Sequence, residues 1–250
     1  TILLRTGWSV RNIGDIGFTP GMLAILERHL PGTRVILWVA RMNERVEAMV
    51  RRRFPEISVV RGEIDAEDEP VGEDLRRAFD QADFVLHNTS MGESSAMMRA
   101  ARKRGLPYGM FGQSYVSKIR ERDDVLDVLN DACFVYCRDS LTLETLRATD
   151  IRPPVLDFNA DSCFGIDVRD DAAAEAFLAA KGLAPGGFLT VQLRTNTPKN
   201  PGGPAPTDPL IRELNPEEPT AEQVAEDERR AAVFRELITG WVEHTGKRVL

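Results

Sequence analysis

Along the first two thirds of the chain, short apolar or β-branched runs alternate with longer stretches whose apolar residues recur at helical spacing. The runs predict strands at Ile2–Arg5, Val35–Val39, Ser58–Arg61, Phe84–His87, Tyr108–Phe111, Phe134–Cys137 and Val155–Phe158. Between them the pattern predicts helices at about Gly21–His29, Glu44–Phe54, Gly72–Gln81, Ser94–Arg104, Lys118–Asn130 and Ser140–Ala148. Strands alternating with helices in this way predict an α/β fold, a parallel sheet wrapped by helices in a doubly wound, Rossmann-like lobe. Ligands on such sheets sit at the carboxyl ends of the strands, so the loops there are the ones to search.

A second lobe opens after a boundary near Gly165–Asp170, dividing the chain into residues 1–167 and 168–250. It starts with an alanine-rich helix from Asp170 to Lys181 and a strand at Phe188–Leu193. The stretch "TNTPKNPGGPAPTDPLIRELNPEEPT", residues 195–220, is dense in proline and glycine and has no hydrophobic period, which predicts a long loop. A helix from Ala221 to about His244 follows, and Lys247–Leu250 resembles the start of another strand. One strand, a loop, a helix and half a strand do not cover both faces of a parallel sheet, so the second lobe is expected to be incomplete, with more chain after Leu250. The missing initiator methionine points the same way.

Composition narrows the class. The chain has 250 residues, room for one large α/β domain or two Rossmann-sized lobes. Hydrophobic residues make up 42% and charged ones 28%, and no apolar run approaches the roughly 20 residues of a membrane span. No leader-like segment precedes the first strand, and Cys133, Cys137 and Cys163 have no CxxC spacing. The expectation is a cytoplasmic protein without a disulfide framework, a zinc site or a membrane span. A net charge of −7 argues against a general nucleic-acid-binding surface. The runs Arg51–Arg53 and Arg102–Arg104 fall at the ends of predicted helices, where cations complement the helix dipole.

Candidate chemistry begins with "GWSVRNIGDIGFTPGMLAIL", residues 7–26, which brings Asn12, Gly14 and Asp15 to a helix start. Gly17 and Gly21 there allow a close backbone approach. The loop is neither a Walker loop nor G-x-G-x-x-G, and capping by Asp15 accounts for it about as well as ligand binding does. Four more segments follow in order at the ends of successive strands: "VLHNTSMGESSAMMRAARKRGLPYGMFGQSYV", "VYCRDSLTLETLRATDI", "VLDFNADSCFGID" and "FLTVQLR". Together with the Asn-x-Gly-Asp opening, this ordered string resembles the polysaccharide pyruvyl transferase family over residues 1 to about 195.

The resemblance implies a two-lobed enzyme of the GT-B type. The family moves the enolpyruvyl group of phosphoenolpyruvate onto paired sugar hydroxyls, giving a cyclic ketal and phosphate. No metal or organic cofactor is implied; the partners are phosphoenolpyruvate and a glycan or sugar-precursor acceptor. Such chemistry needs fixed cations for the donor's phosphate and carboxylate, and an acid for its methylene carbon. By the match, Arg138 is the first candidate for a donor-anion ligand; the alternative is an ion pair with Asp139 or Asp161 that ties loops together. Arg194, ending the first strand of the second lobe, is the second candidate catalytic cation. Asn12, Gly14, Asp15, Asn88, Gln113, Ser114 and Asp161 are the candidate substrate-binding residues, while Asp139 fits a helix cap better than a catalyst.

The departures from the family bear on substrate choice. Where the family tends to show a Gly-Gly-Gly run, this chain has His87-Asn88-Thr89-Ser90-Met91-Gly92, and Gln113-Ser114 is followed by Tyr115-Val116. His87 is a candidate acid titrating near neutral pH, against the commoner role of a strand-end histidine donating to a carbonyl. The family's Arg-x-His step, its presumed proton donor, does not occur in residues 1–250, so these residues alone are expected to be inactive. Two alternatives remain open at this point: a nucleotide-sugar glycosyltransferase on the same scaffold, and a catalytically degenerate sugar- or phosphate-binding relative.

Overall fold

Consecutive apolar residues in a strand point to opposite faces, so a run such as Ile2-Leu3-Leu4 is stable only where both faces of the sheet are covered. The computed structural model places that run in such a sheet. It describes residues 1–7, 10, 12–89, 95–115, 117–191 and 220–250. The chain divides into two units, Thr1–Arg169 and Asp170–Leu250.

The first unit holds seven parallel strands: β1 (Ile2–Thr6), β2 (Val35–Val39), β3 (Ser58–Val60), β4 (Phe84–Asn88), β5 (Tyr108–Gln113), β6 (Val135–Cys137) and β7 (Leu156–Phe158). Their order in the sheet is β3-β2-β1-β4-β5-β6-β7, so the winding reverses between β1 and β4. The crossovers are α1 (Ile13–His29), α2 (Glu44–Arg53), α3 (Glu73–Gln81), α4 (Ser95–Lys103), α5 (Asp123–Asn130) and α6 (Ser140–Arg147). One face buries Leu3, Trp38, Val85, Met110 and Val135 against Phe79, Met98 and Leu129. The other buries Leu4, Leu37 and Leu86 against Met22, Leu23 and Val50. The unit is therefore a Rossmann-like α/β fold with a wholly parallel sheet, as the strand and helix pattern predicts.

Three elements differ from the expectation; one is the strand predicted over Phe188–Leu193, of which the described residues are strand only at Phe188–Leu189. The first helix begins at Ile13, capped by Asn12, and not at Gly21, so Gly14, Gly17 and Gly21 lie inside it. The reason is tertiary: α1 lies directly against a 3-10 turn at Ser162–Gly165. A Cβ on Gly21 would stand 2.0 Å from the Ser162 carbonyl oxygen, and one on Gly17 2.8 Å from Ile166 Cδ1. Packing of this closeness outweighs the poor helix propensity of glycine. The segment predicted as one helix over 118–130 divides into a 3-10 turn, Ser117–Glu121, and α5, with Arg122 between them folding its guanidinium onto Asp124.

Past β7 the chain runs along α1 as a strap. Its far end is pinned where Asp167 and Glu27 share the guanidinium of Arg53, at the end of α2. The described residues of the second unit form α7 (Asp171–Lys181), β8 (Phe188–Leu189), α8 (Ala221–Thr245) and β9 (Arg248–Val249), with β8 and β9 paired in parallel. Asp170 caps α7 at its start, and Gly182, with φ of 59°, ends it in the left-handed conformation. Among the described residues, no helix is long and apolar enough to cross a membrane.

Candidate functional site

In an open parallel sheet the ligand crevice lies outside the carboxyl ends of the strands, at the point where the winding reverses. Here that edge is formed by the ends of β1, β4, β5 and β6, the amino end of α1 and the strap. At α1, the Asn12 side chain accepts from the Gly14 amide at 2.9 Å, an N-cap that commits both groups to the helix start. Asp15 stands in the first turn, where a carboxylate complements the dipole. The close approach that Gly17 and Gly21 permit is made to the strap, so their absent side chains are explained by the protein's own packing.

Asp161 caps the strap's turn, accepting from the Cys163 amide at 2.9 Å with one oxygen. Its other oxygen accepts from Arg138 Nη1, also at 2.9 Å. The Arg138 side chain is 24% exposed, and its guanidinium lies 5.5 Å over the Phe18 ring of α1. The loop-tying pair with Asp161 is thus formed, and it engages one nitrogen of the fork. Among the described residues Asp161 is the one side chain to which Arg138 hydrogen-bonds. Burial and Asp161 push the Cys163 thiol up to about 12, so it is not a thiolate nucleophile.

At the start of α6, Asp139 is the N-cap, as expected, accepting from the Thr142 amide at 2.7 Å. Burial raises its carboxyl, but hydrogen bonds from the Thr142 amide and from the Ser114 and Thr142 hydroxyls, with the charge of Arg138, outweigh that and hold it below its ordinary value. The Ser114 hydroxyl thus faces the carboxylate of the cap. Thr142 Oγ1 also accepts from the Tyr115 amide at 3.0 Å, which locks the loop after β5 onto α6.

The floor of the site is closed. Gln113, fully buried at the end of β5, donates from Nε2 to the Phe111 carbonyl at 2.9 Å and meets His87 Nδ1 at 3.0 Å. Its Oε1 accepts from the Tyr115 hydroxyl at 3.2 Å, which fixes the orientation of the amide. His87 Nδ1 is hence an acceptor. Burial, aided by the charge of Arg5, pushes its pKa down to about 3. The candidate role of an acid titrating near neutral pH is overturned: His87 is neutral and enclosed, and its Nδ1 accepts from an amide. Asn88, also fully buried, donates to the Phe18 carbonyl at 2.9 Å and accepts from the Thr89 hydroxyl at 3.2 Å. Asn88 and Gln113 thus bolt the strand ends to α1 and to one another, and they reach no open surface.

Arg5 is the residue that the sequence reading passed over. By register it stands between Trp38 on β2 and His87 on β4, with its guanidinium 4.1 Å over the Trp38 ring. The available signal was a cation interrupting the apolar run of β1. Nearby, Thr89 has φ of 50° and Gly112 φ of 66°. A left-handed β-branched residue is a rare conformation, and such outliers gather at functional sites.

Arg194 lies outside the described residues. Among those described, no group of three His, Cys, Asp or Glu side chains is placed to hold a metal ion. A shallow groove of about 550 Å3 lined by Arg120, Asp127, Asn130 and Asp150 runs beside α5, away from the edge just described. No model of a known protein family matches the chain, and no curated protein matches it.

Proposed function

We propose that the chain is the donor-binding part of a polysaccharide pyruvyl transferase-like enzyme of the two-lobed GT-B type. It moves the enolpyruvyl group of phosphoenolpyruvate onto sugar hydroxyls of a cell-surface polysaccharide or its precursor, in the cytoplasm and without a cofactor. The observation that carries the reading is Arg138, half-buried at the end of β6 with Nη1 held by Asp161. One anchored nitrogen sets the plane of the guanidinium and leaves Nε and Nη2 to meet an oxyanion side by side. The ordered string of motifs supplies the identity of the donor.

In the transfer, an acid protonates the methylene carbon, one sugar hydroxyl adds to the neighbouring carbon, and the second displaces phosphate from it. Atoms balance as a ketal plus phosphate. His87 does not serve as the acid, because it is neutral and enclosed.

Calorimetry with phosphoenolpyruvate tests the reading. Arg138→Lys keeps the charge and loses the fork, and should weaken binding about tenfold or more. Unchanged affinity would assign Arg138 to holding the strap alone. Binding of a nucleoside diphosphate sugar in place of phosphoenolpyruvate would replace the reading with the glycosyltransferase alternative.

A further inference from the structure

We infer that Phe164, held out from the strap beside the Arg138–Asp161 pair, is the platform on which a sugar ring of the acceptor glycan stacks. The inference rests on the reading above for the acceptor being a glycan, and it adds the side chain that selects it.

Exposed apolar side chains scattered singly need no explanation, whereas a gathering of them marks a binding surface. Among the described residues the three most exposed large apolar side chains are Phe164 at 86%, Ile13 at 77% and Leu141 at 74%. All three stand at the carboxyl edge of the sheet. Ile13 opens α1, Leu141 lies in the first turn of α6, and Phe164 is in the 3-10 turn that follows β7. The Phe164 amide donates to the Asp161 carbonyl at 3.0 Å, while the Asp161 carboxylate holds Arg138. Leu141 follows Arg138 by three residues. Ile13 precedes Gly14, whose carbonyl accepts from Cys163 Sγ at 3.4 Å, next to Phe164 in the chain.

The strap holds the backbone of this ring still. Ser162 Oγ donates to the Phe18 carbonyl at 3.4 Å, Cys163 reaches Gly14, and a Cβ on Gly165 would stand 2.6 Å from the Gly21 carbonyl oxygen. Between Cys163 and Gly165, both pressed on α1, Phe164 turns its side chain to solvent. A large ring with two torsions on a fixed backbone loses little freedom when it is covered. Stacking asks for an open face and not for a cleft, and the exposure of Phe164 supplies one.

The occupant follows from the mixture of chemistries. A hydrocarbon chain or an apolar protein face laid over these side chains would also strip water from the partly exposed Arg138 and Asp161, which is costly. A pyranose satisfies both: its C–H face packs on the electron-rich face of the phenyl ring, and its hydroxyls, at the ring edge, meet the charged pair. That seat also brings the sugar hydroxyls beside the donor-anion ligand, as transfer requires.

The labelled whole chain is applied to immobilised, unpyruvylated oligosaccharides of galactose, glucose, mannose and N-acetylated hexosamines, with and without phosphoenolpyruvate. Phe164→Leu, Phe164→Ala and Phe164→Trp are run alongside; the site is exposed, so these variants should fold. At least one glycan should bind, about tenfold more weakly in Phe164→Leu and Phe164→Ala and undiminished in Phe164→Trp, because the π face and not apolar bulk is read. Calorimetry should give the same phosphoenolpyruvate affinity in the protein and in Phe164→Ala. Glycan binding that depends on Phe164, without phosphoenolpyruvate binding, supports the inference and sinks the pyruvyl-transfer reading. Phosphoenolpyruvate binding with no glycan bound, or with glycan affinity equal in Phe164→Ala, overturns the inference and leaves that reading standing. Binding of UDP, or of phosphatidylglycerol vesicles, that is lost in Phe164→Ala assigns the ring to a nucleobase or a lipid surface and also overturns it.

Discussion

An imidazole enclosed on every side, beside a guanidinium, resists protonation, and His87 stays neutral down to about pH 3. Its folded pKa lies below the unfolded value of 6.5, so the unfolded chain takes up the proton first. The stabilisation is complete above pH 6.5 and is lost as the pH falls from there toward 3, at about 1.4 kcal/mol per unit. Between about pH 5 and 6.5 this slope belongs to His87, because Asp124, Asp139 and Asp167 are held below their ordinary values and remain ionised. Urea unfolding across that window should show the slope in the protein and lose it in His87→Gln; parallel profiles would refute the assignment. Asn88→Ala should cost about 1–3 kcal/mol, read by the same method, because it strips the amide from the Phe18 carbonyl. Neither role was legible in the sequence. The partners that neutralise these two side chains come from β5 and α1, and no local spacing announces them. Asp139 was legible, because a cap is satisfied within three residues of itself.

The strands of the first unit were legible to within a residue or two, since burial on both faces writes an unbroken apolar run. The start of α1 was not. Gly14, Gly17 and Gly21 look like turn formers in isolation, and the strap that requires Gly17 and Gly21 bare lies some 140 positions later. Gly21→Ala should lower stability by about 1–3 kcal/mol, because the added methyl meets the Ser162 carbonyl. Gly240→Ala, in α8 with open space around its Cβ, should instead raise the helicity and thermal stability of the second unit. Thermal unfolding followed by circular dichroism distinguishes the two directions, and a neutral Gly21→Ala would show that the strap yields.

Both hydrophobic clusters of the first unit lie wholly within its own residues, the last of them being Leu156. A chain of residues 1–169 should therefore unfold in a single cooperative transition; a broad, uncooperative melt would disprove this. The strand order, with its reversal between β1 and β4, locates a crevice but assigns no chemistry. What the whole molecule adds is placement: it brings Arg5, Arg138 and Asp161, from three distant stretches, to one edge.

The strap has a kinetic corollary. On the ribosome α1 is made early, but the surface it packs against is not synthesised until residues 161–167 leave the exit tunnel. Contacts spanning so much sequence slow folding and prolong the exposure of unpaired backbone and apolar surface. The first helix of this unit thus waits, half-assembled, for nearly the whole of the unit to be translated.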